Sequence, residues 1–285
     1  MDEIIKDEGE GFSSVDLIYQ CLIDEQKFNA FEAVLKTNIT SNSNVLDIGT
    51  GSGILALTAG RLGAKKVTAL EFDPVVANIA NNNFIQNNFG DKIKILVGDA
   101  RSIDLSDNKF DVIVMELLAT GLVDEMQVEA INNLSDKGLI SAETVVIPAA
   151  QENYSALANT DFNLYGFNMK MIKHLWSHDN NSNSFELLSD KVLMNKVNFN
   201  QKNKRDFSGV LQFKVSKSGK INSLCLTSRI NVDVNGKIIL DSTHSLNPIV
   251  FIPLPEKVTE VGQEVTIKVS YLMGGGFSNF SVNYL

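Results

Sequence analysis

Residues 44–53 read Asn-Val-Leu-Asp-Ile followed at once by Gly-Thr-Gly-Ser-Gly. A short apolar run that breaks into glycines and then resumes at ILALTAGRLG (54–63) with helical apolar spacing predicts strand, tight turn and helix. Glycines at such a turn let backbone N–H groups approach a ligand closely and place a helix N-terminus beside it. The unit also needs company, because a strand that feeds a helix finds its partners in a parallel sheet.

The following chain supplies them. KVTAL (66–70), KIKILV (92–97), FDVIVM (110–115) and GLISAETVVIP (138–148) read as further strands. A helix opening at Pro74 and running towards Asn88, and another over 122–134, separate them. Helices covering both faces allow strands that are almost continuously apolar. Beyond about residue 185 the period changes. VLQFKVSK (210–217), LCLTSRINVDV (224–234), KIIL (237–240), PIVFIPL (248–254), EVTIKVSYL (264–272) and FSVNYL (280–285) alternate or are β-branched, which predicts antiparallel β-structure in a barrel or sandwich. Asn235-Gly236 predicts a two-residue hairpin with both central residues at positive φ. Between the halves, 161–176 is aromatic and Met-rich and is expected to be partly helical, and Gly274–Gly276 reads as a hairpin connection. The expected organisation is a helical segment over 1–40, an α/β domain over 41–149 and a β domain over 150–285.

Composition narrows the function. No window approaches eighteen uninterrupted apolar residues, so no membrane span is expected. The first eleven residues are acidic, which argues against a secretory or transit signal. Two cysteines, Cys21 and Cys225, make neither a disulfide framework nor a zinc site, and a reducing cytoplasm is the expected location. His174 and His178 lie four apart without a third ligand, so no metal is expected. A net charge of −9 disfavours direct nucleic-acid binding and favours a cationic partner. Residues 191–220 run against this trend with eight Lys/Arg and one acid, a pattern expected of solvated or edge-protecting lysines on strands.

The glycine loop is not GxGxxG, since position 54 is Ile, and no Lys-Ser/Thr follows it. Three acids surround it in sequence. Asp47 ends the first strand, Glu71 ends the second, and Asp99-Ala100 follow the third. A carboxylate at 71 could accept from both hydroxyls of a ribose, and one at 99 could meet an adenine amino group. This set, DIGTGSG with Glu71 and Asp99, resembles the class I S-adenosylmethionine-dependent methyltransferases. The resemblance implies a Rossmann-like domain that holds S-adenosyl-L-methionine through Asp47, Gly49, Thr50, Gly51, Gly53, Glu71, Asp99 and Ala100. Packing alone is the other account of the same glycines.

Glu116 ends the fourth strand, and Glu125 follows nine residues later. Two carboxylates on one loop suit a guanidinium, whose donors pair bidentately with carboxylates. They would localise its charge, aim one nitrogen and accept a proton. The spacing resembles the paired-glutamate loop of the protein arginine methyltransferases. LIDEQKFNAFEAVL (22–35), LYGFNMKMIK (164–173) and STHSLNPIVFIPLPEKVTEVGQEVTIKV (242–269) resemble other segments of that family, in the family's order. The resemblance implies methyl transfer to arginine of a protein or peptide, with Glu116 and Glu125 as the clamp, His244 orienting an acid of the site, Lys27 near the cofactor carboxylate, and a homodimer through an arm at 159–178. Departures are visible. Lys27 replaces an arginine, paired tyrosines are missing near Gly9–Asp16, the adenine contact is Asp99 with Arg101 nearby where the family usually has a glutamate, and Thr243-His244 are followed by Ser245 where the family has tryptophan. These departures keep two alternatives open: another acceptor for the same chemistry, and a silent cofactor-binding scaffold.

Overall fold

The computed structural model describes residues 15–179 and 184–285. The expected alteration near Gly9–Asp16 falls almost wholly outside them. In chain order the first half comprises α1 (Val15–Leu22), α2 (Glu25–Asn38), β1 (Asn44–Ile48), α3 (Ile54–Arg61), β2 (Lys66–Glu71), α4 (Pro74–Gln86), β3 (Ile93–Val97), β4 (Val112–Met115), α5 (Gln127–Asp136) and β5 (Val145–Ile147). The five strands form one parallel sheet in the order β3-β2-β1-β4-β5. Every residue of β4, and all of β1 after Asn44, is buried, which explains their unbroken apolar runs. The strand order reverses direction between β1 and β4, and such a switch point opens a crevice at the strands' C-terminal ends.

The second half is antiparallel. It comprises β6 (Ala150–Thr160), β7 (Asn163–Leu164), β8 (Phe167–Asn168), β9 (Lys173–Leu175), β10 (Phe185–Leu187), β11 (Val192–Asn198), β12 (Asp206–Lys214), β13 (Gly219–Asn231), β14 (Ile239–Leu240), β15 (Ile249–Thr259), β16 (Glu264–Leu272) and β17 (Ser281–Tyr284). One sheet runs β10-β6-β13-β15-β9, with β11 also on β6 and β14 on β13. A second runs β12-β16-β17. Buried residues of both halves, among them Leu46, Ile113, Leu122, Phe213, Leu224 and Val265, belong to one continuous core. The α/β sheet followed by antiparallel sheets is the architecture the sequence predicts.

Four local expectations are corrected. The 161–176 segment is no helix; β7 and β8 make a hairpin whose turn residues Tyr165 and Gly166 both have positive φ, the two-residue geometry expected elsewhere. At Asn235-Gly236 the strands are joined by seven residues, 232–238, and only Gly236 has positive φ. Asp233 makes that turn, with its carbonyl accepting from Gly236 N and its carboxylate from Asn235 N and Ile238 N. The helix expected from 122 starts at Gln127, because Gly121 and Leu122 adopt left-handed backbone. The strand expected over 138–148 shrinks to Val145–Ile147.

The basic stretch is bound up in surface ion pairs. Lys196 meets Glu152, Lys202 meets Asp136, Arg205 meets Glu129, Lys217 meets Glu186, and Lys220 meets Glu256. Only Lys196 and Lys220 of these stand on strands, as expected; Lys202, Arg205 and Lys217 lie in the connections between them.

Candidate active site

The crevice at the switch point is a cleft of about 590 Å³. Its floor is the glycine loop from Gly49 to Ser52; Gly53, expected to hold the cofactor, is buried and does not line the cleft. Gly49, Gly51 and Gly53 all have positive φ. At Gly53 a Cβ would lie 2.4 Å from the Phe84 ring, and at Gly49 it would lie 2.6 Å from Leu117, so both positions admit only hydrogen. A Cβ on Gly51 would meet nothing nearer than Ile18 at 3.9 Å, which leaves the loop's backbone open to a ligand there.

The acids predicted around the loop divide into two kinds. Asp47 is buried beneath it, accepts from Thr50 Oγ1 at 2.6 Å and does not line the cleft. Burial pushes its pKa up to about 7, with a smaller contribution from Glu71, against hydrogen bonds from Thr50 and the Ala56 backbone. Glu71, Asp99 and Ala100 do line the cleft. Glu71 Oε2 accepts from Gly51 N at 2.9 Å, while Oε1 accepts from Phe72 N and Asp73 N at 2.9 and 3.1 Å. Asp99 is gripped by Arg101, whose Nε lies 3.0 Å from both carboxylate oxygens. That hydrogen bonding holds the Asp99 pKa below the usual carboxylate range against partial burial.

Glu116 and Glu125 both face the same cleft, as their spacing predicts. Lys27 Nζ lies 2.7 Å from Glu116 Oε2, with both side chains largely buried. This lysine was expected at a cofactor carboxylate; its ionic partner in the structure is Glu116. Burial lowers the Lys27 pKa, but the charge and hydrogen bond of Glu116 together with Cys21 and Asp24 outweigh it, so the ammonium is favoured. Glu125 is pushed up to about 7, first by burial and then by repulsion from Glu116 and Asp124. Two carboxylates thus feel each other in one enclosed site, and a cation would relieve both.

Residues without a sequence signature hold this pair in place. Gln127, wholly buried, accepts from Leu117 N at 3.0 Å and reaches Met115 O at 3.5 Å, bracketing Glu116. The loop between the two glutamates is fastened to the β half. Thr120 Oγ1 donates to Pro248 O at 2.6 Å, Gly121 N to Ser228 Oγ at 2.8 Å, and Tyr271 OH to Gly121 O at 2.9 Å. Asp24, nearly inaccessible, caps α2 through Lys27 N and accepts from Thr243 Oγ1, Ser245 N and Ser245 Oγ. Burial raises its pKa, but these hydrogen bonds outweigh burial and lower it.

His244 stands apart. It does not line the cleft; its Nε2 is 3.0 Å from Gln20 Oε1, and its ring lies 4.7 Å from that of His178. It orients no acid of the cleft; its neighbours Thr243 and Ser245 bond Asp24, which itself does not line the cleft. The β half instead lends the cleft His174, Trp176, Asn247 and Phe277. Among the described residues no cluster of His, Cys, Asp and Glu could hold a metal ion, and no helix is long and apolar enough to cross a membrane.

Residues 29–170 match the family described as ribosomal protein L11 methyltransferase (PrmA). The uncharacterized protein MJ1452 of Methanocaldococcus jannaschii is 31% identical over 93% of this chain and 95% of its own length. A ribosomal protein L11 methyltransferase of Staphylococcus haemolyticus is 30% identical over 49% of this chain and 42% of its own. An arginine N(omega)-methyltransferase of Streptomyces achromogenes is 29% identical over 50% of this chain and 40% of its own. In both of those relatives less than half of the protein is matched. Among solved structures, the Trypanosoma brucei PRMT1 enzyme–prozyme heterotetrameric complex with AdoHcy superposes with a TM-score of 0.74 over 96% of this chain and 98% of that one, at 16% identity, which establishes a shared fold.

Proposed function

The chain belongs to the family of the Methanocaldococcus protein MJ1452 and is an S-adenosylmethionine-dependent methyltransferase, and we propose that its acceptor is a guanidino nitrogen of protein arginine. The observation that carries this reading is the pair Glu116 and Glu125, both lining the cleft that the glycine loop floors, with the ionisation of Glu125 opposed by burial and by Glu116. A planar cation with several N–H donors satisfies two such carboxylates better than a neutral acceptor does.

The residues present fit the cofactor. The open backbone at Gly51 and the loop from Gly49 to Ser52 would lie against it, with Thr50 bonded to Asp47 so that the loop keeps its shape. Glu71 already accepts three backbone N–H groups, which leaves about one of four lone-pair positions for a ribose hydroxyl; a second hydroxyl would share the place of Gly51 N. Asp99 and Ala100 would flank the base, with Arg101 setting the Asp99 carboxylate. When bound, S-adenosylmethionine supplies an electrophilic sulfonium methyl.

The protein's own part is positioning and charge. Lys27 fixes Glu116 through Oε2, and Glu116 with Glu125 would hold the guanidinium and draw its positive charge away from the nitrogen that attacks. Glu125, poised near neutrality, takes the proton which that nitrogen gives up.

A second reading, ribosomal protein L11 as acceptor, draws on the family match over 29–170. That match ends before Trp176, Asn247 and Phe277, so it leaves out the acceptor side of the cleft. Transfer of labelled methyl to an Arg-Gly-rich peptide, its Arg→Lys counterpart and purified L11 separates the readings. Label on the arginine peptide alone, lost by about 100-fold or more in Glu116→Gln with cofactor binding retained, is the expected result. Label on L11 alone would establish the second reading.

A further inference from the structure

Asn247 is 3% exposed and lines the cleft, yet neither Oδ1 nor Nδ2 has a hydrogen-bond partner among the described residues. No other cleft-lining residue among those described buries an unpartnered side-chain polar atom. A buried amide with both its donor and its acceptor unmet is costly and calls for a reason. Slack in the loop is not that reason. Ser245, two residues before, is tied to Asp24, and the carbonyl of Pro248, one residue after, accepts from Thr120. Asn247 therefore sits in a segment fastened on one side to the start of α2 and on the other to the loop that carries the two glutamates.

Facing this segment is Trp176. Leu175 pairs with Ile249 at the end of the β9–β15 ladder, and Trp176, the next residue, lines the same cleft as Asn247 and Pro248. Ser177 Oγ donates to Thr243 O at 2.7 Å, and Trp176 N donates to Asp179 Oδ2 at 2.9 Å, so the tryptophan too is held. The aromatic face absent from the sequence after His244 thus reaches the cleft from the neighbouring strand.

We propose that Asn247 is the residue that recognises the acceptor, with Trp176 as the flat wall against which the acceptor's cation lies. Both polar atoms are closed off in the free protein, so the amide turns into the cleft as the acceptor enters; Oδ1 then accepts from an N–H of the guanidinium, and Nδ2 donates to a carbonyl oxygen of the chain that bears it, a combination that selects arginine within a peptide over a free guanidine. The proposal rests on the arginine reading of the site, and its test needs no turnover.

Trp176 is the sole tryptophan, so its fluorescence reports on this wall alone. The full-length protein with S-adenosylhomocysteine is titrated with an Arg-Gly-rich peptide, and the same titration is made on Asn247→Gly. Glycine is the informative substitution because Asn247 has a φ of 51°, a conformation that glycine and asparagine both accept. If asparagine stands there only for its backbone, glycine replaces it without consequence. The expected result is a saturable change in the wild type whose midpoint rises by about tenfold in Asn247→Gly, with S-adenosylhomocysteine affinity by calorimetry unchanged. Asn247→Asp, of the same shape but without the donor, should weaken the peptide relative to methylguanidinium, and serves if the glycine variant folds poorly. An unchanged midpoint, an equal loss of S-adenosylhomocysteine affinity, or no saturable signal in the wild type would each overturn the proposal. Saturable binding weakened by the substitution, but without label transfer to the peptide, would uphold it while refuting arginine methylation.

Discussion

Gln127 holds the backbone on both sides of Glu116: its Oε1 accepts from Leu117 N at 3.0 Å and its Nε2 lies 3.5 Å from Met115 O. It is also the first residue of α5, two positions after Glu125. One buried amide therefore couples the end of β4, which delivers the first glutamate, to the start of the helix that follows the second. The distance between the carboxylates is set by this link and by the fastening of residues 120–121 to the β half.

Replacing Gln127 by leucine keeps the volume and strands the Leu117 N–H. We expect a loss of about 1–3 kcal/mol in stability, read as a fall in thermal midpoint. Turnover of an arginine peptide should fall further than stability does, with kcat affected more than KM, because the clamp is misplaced rather than removed. Gln127→Glu, which retains an acceptor for Leu117 N, should recover part of the kcat. Equal kcat in all three proteins would show that Glu116 is placed by its strand alone.

Lys27→Met leaves the Glu116 carboxylate buried without its counter-charge. Breaking a buried pair from one side costs about 3–5 kcal/mol, so a clear drop in the unfolding free energy is expected. Lys27→Arg should be milder and should retain activity, since a guanidinium also reaches a carboxylate. Chemical denaturation of the two variants side by side checks this; a Met variant as stable as the wild type would mean that the ion pair at 2.7 Å contributes nothing.

The alternation of apolar strands with helices made the parallel sheet legible, and the β-branched period-two runs did the same for the antiparallel half. Glu116 and Glu125 were legible because both hang on one strand and the loop after it. Asp24, Gln127, Trp176 and Asn247 were not: Asp24, Trp176 and Asn247 are brought to the site by the packing of distant segments, and Gln127 by a loop whose course no periodicity encodes. Asp24 meets Ser245 across 221 positions, and no local spacing encodes that. His244 shows the converse. It is the titratable member of its segment, yet Thr243 and Ser245 on either side point at Asp24, while His244 turns to Gln20.

The 163–168 hairpin presents Tyr165 at 98% exposure, with Leu164, Phe167, Met169 and Met171 also uncovered. Large apolar side chains exposed together on this hairpin and the residues just after it are what an association surface needs. We expect a homodimer through this arm, one hairpin docking on the other subunit's parallel-sheet half. Sedimentation at micromolar concentration should give twice 31.3 kDa, and Tyr165→Asp with Phe167→Asp should give the monomer. A wild-type monomer would end the idea.

The last prediction concerns pH. Burial, Glu116 and Asp124 together place the Glu125 pKa near 7, against an ordinary value of 4.5. A carboxyl whose pKa is raised by folding binds its proton more tightly in the native state, so the free protein should lose stability as pH rises from 4.5 to about 7 and then level off. Asp47, also near 7, acts in the same direction, and the thermal midpoint should therefore fall between pH 5 and pH 7.5. Ligand affinity should move oppositely. The ionised fraction of a group with pKa 7 rises about tenfold between pH 6 and pH 8, and the cationic acceptor needs that charge. Binding of an arginine peptide should tighten by up to about the same factor. Glu125→Gln should be more stable at pH 7.5, should bind the peptide weakly, and should lose most of the pH dependence of binding, whereas Asp47 remains to give the residual slope in stability. An unaltered pH profile of binding in Glu125→Gln would remove Glu125 from contact with the cation and leave Glu116 to hold it alone.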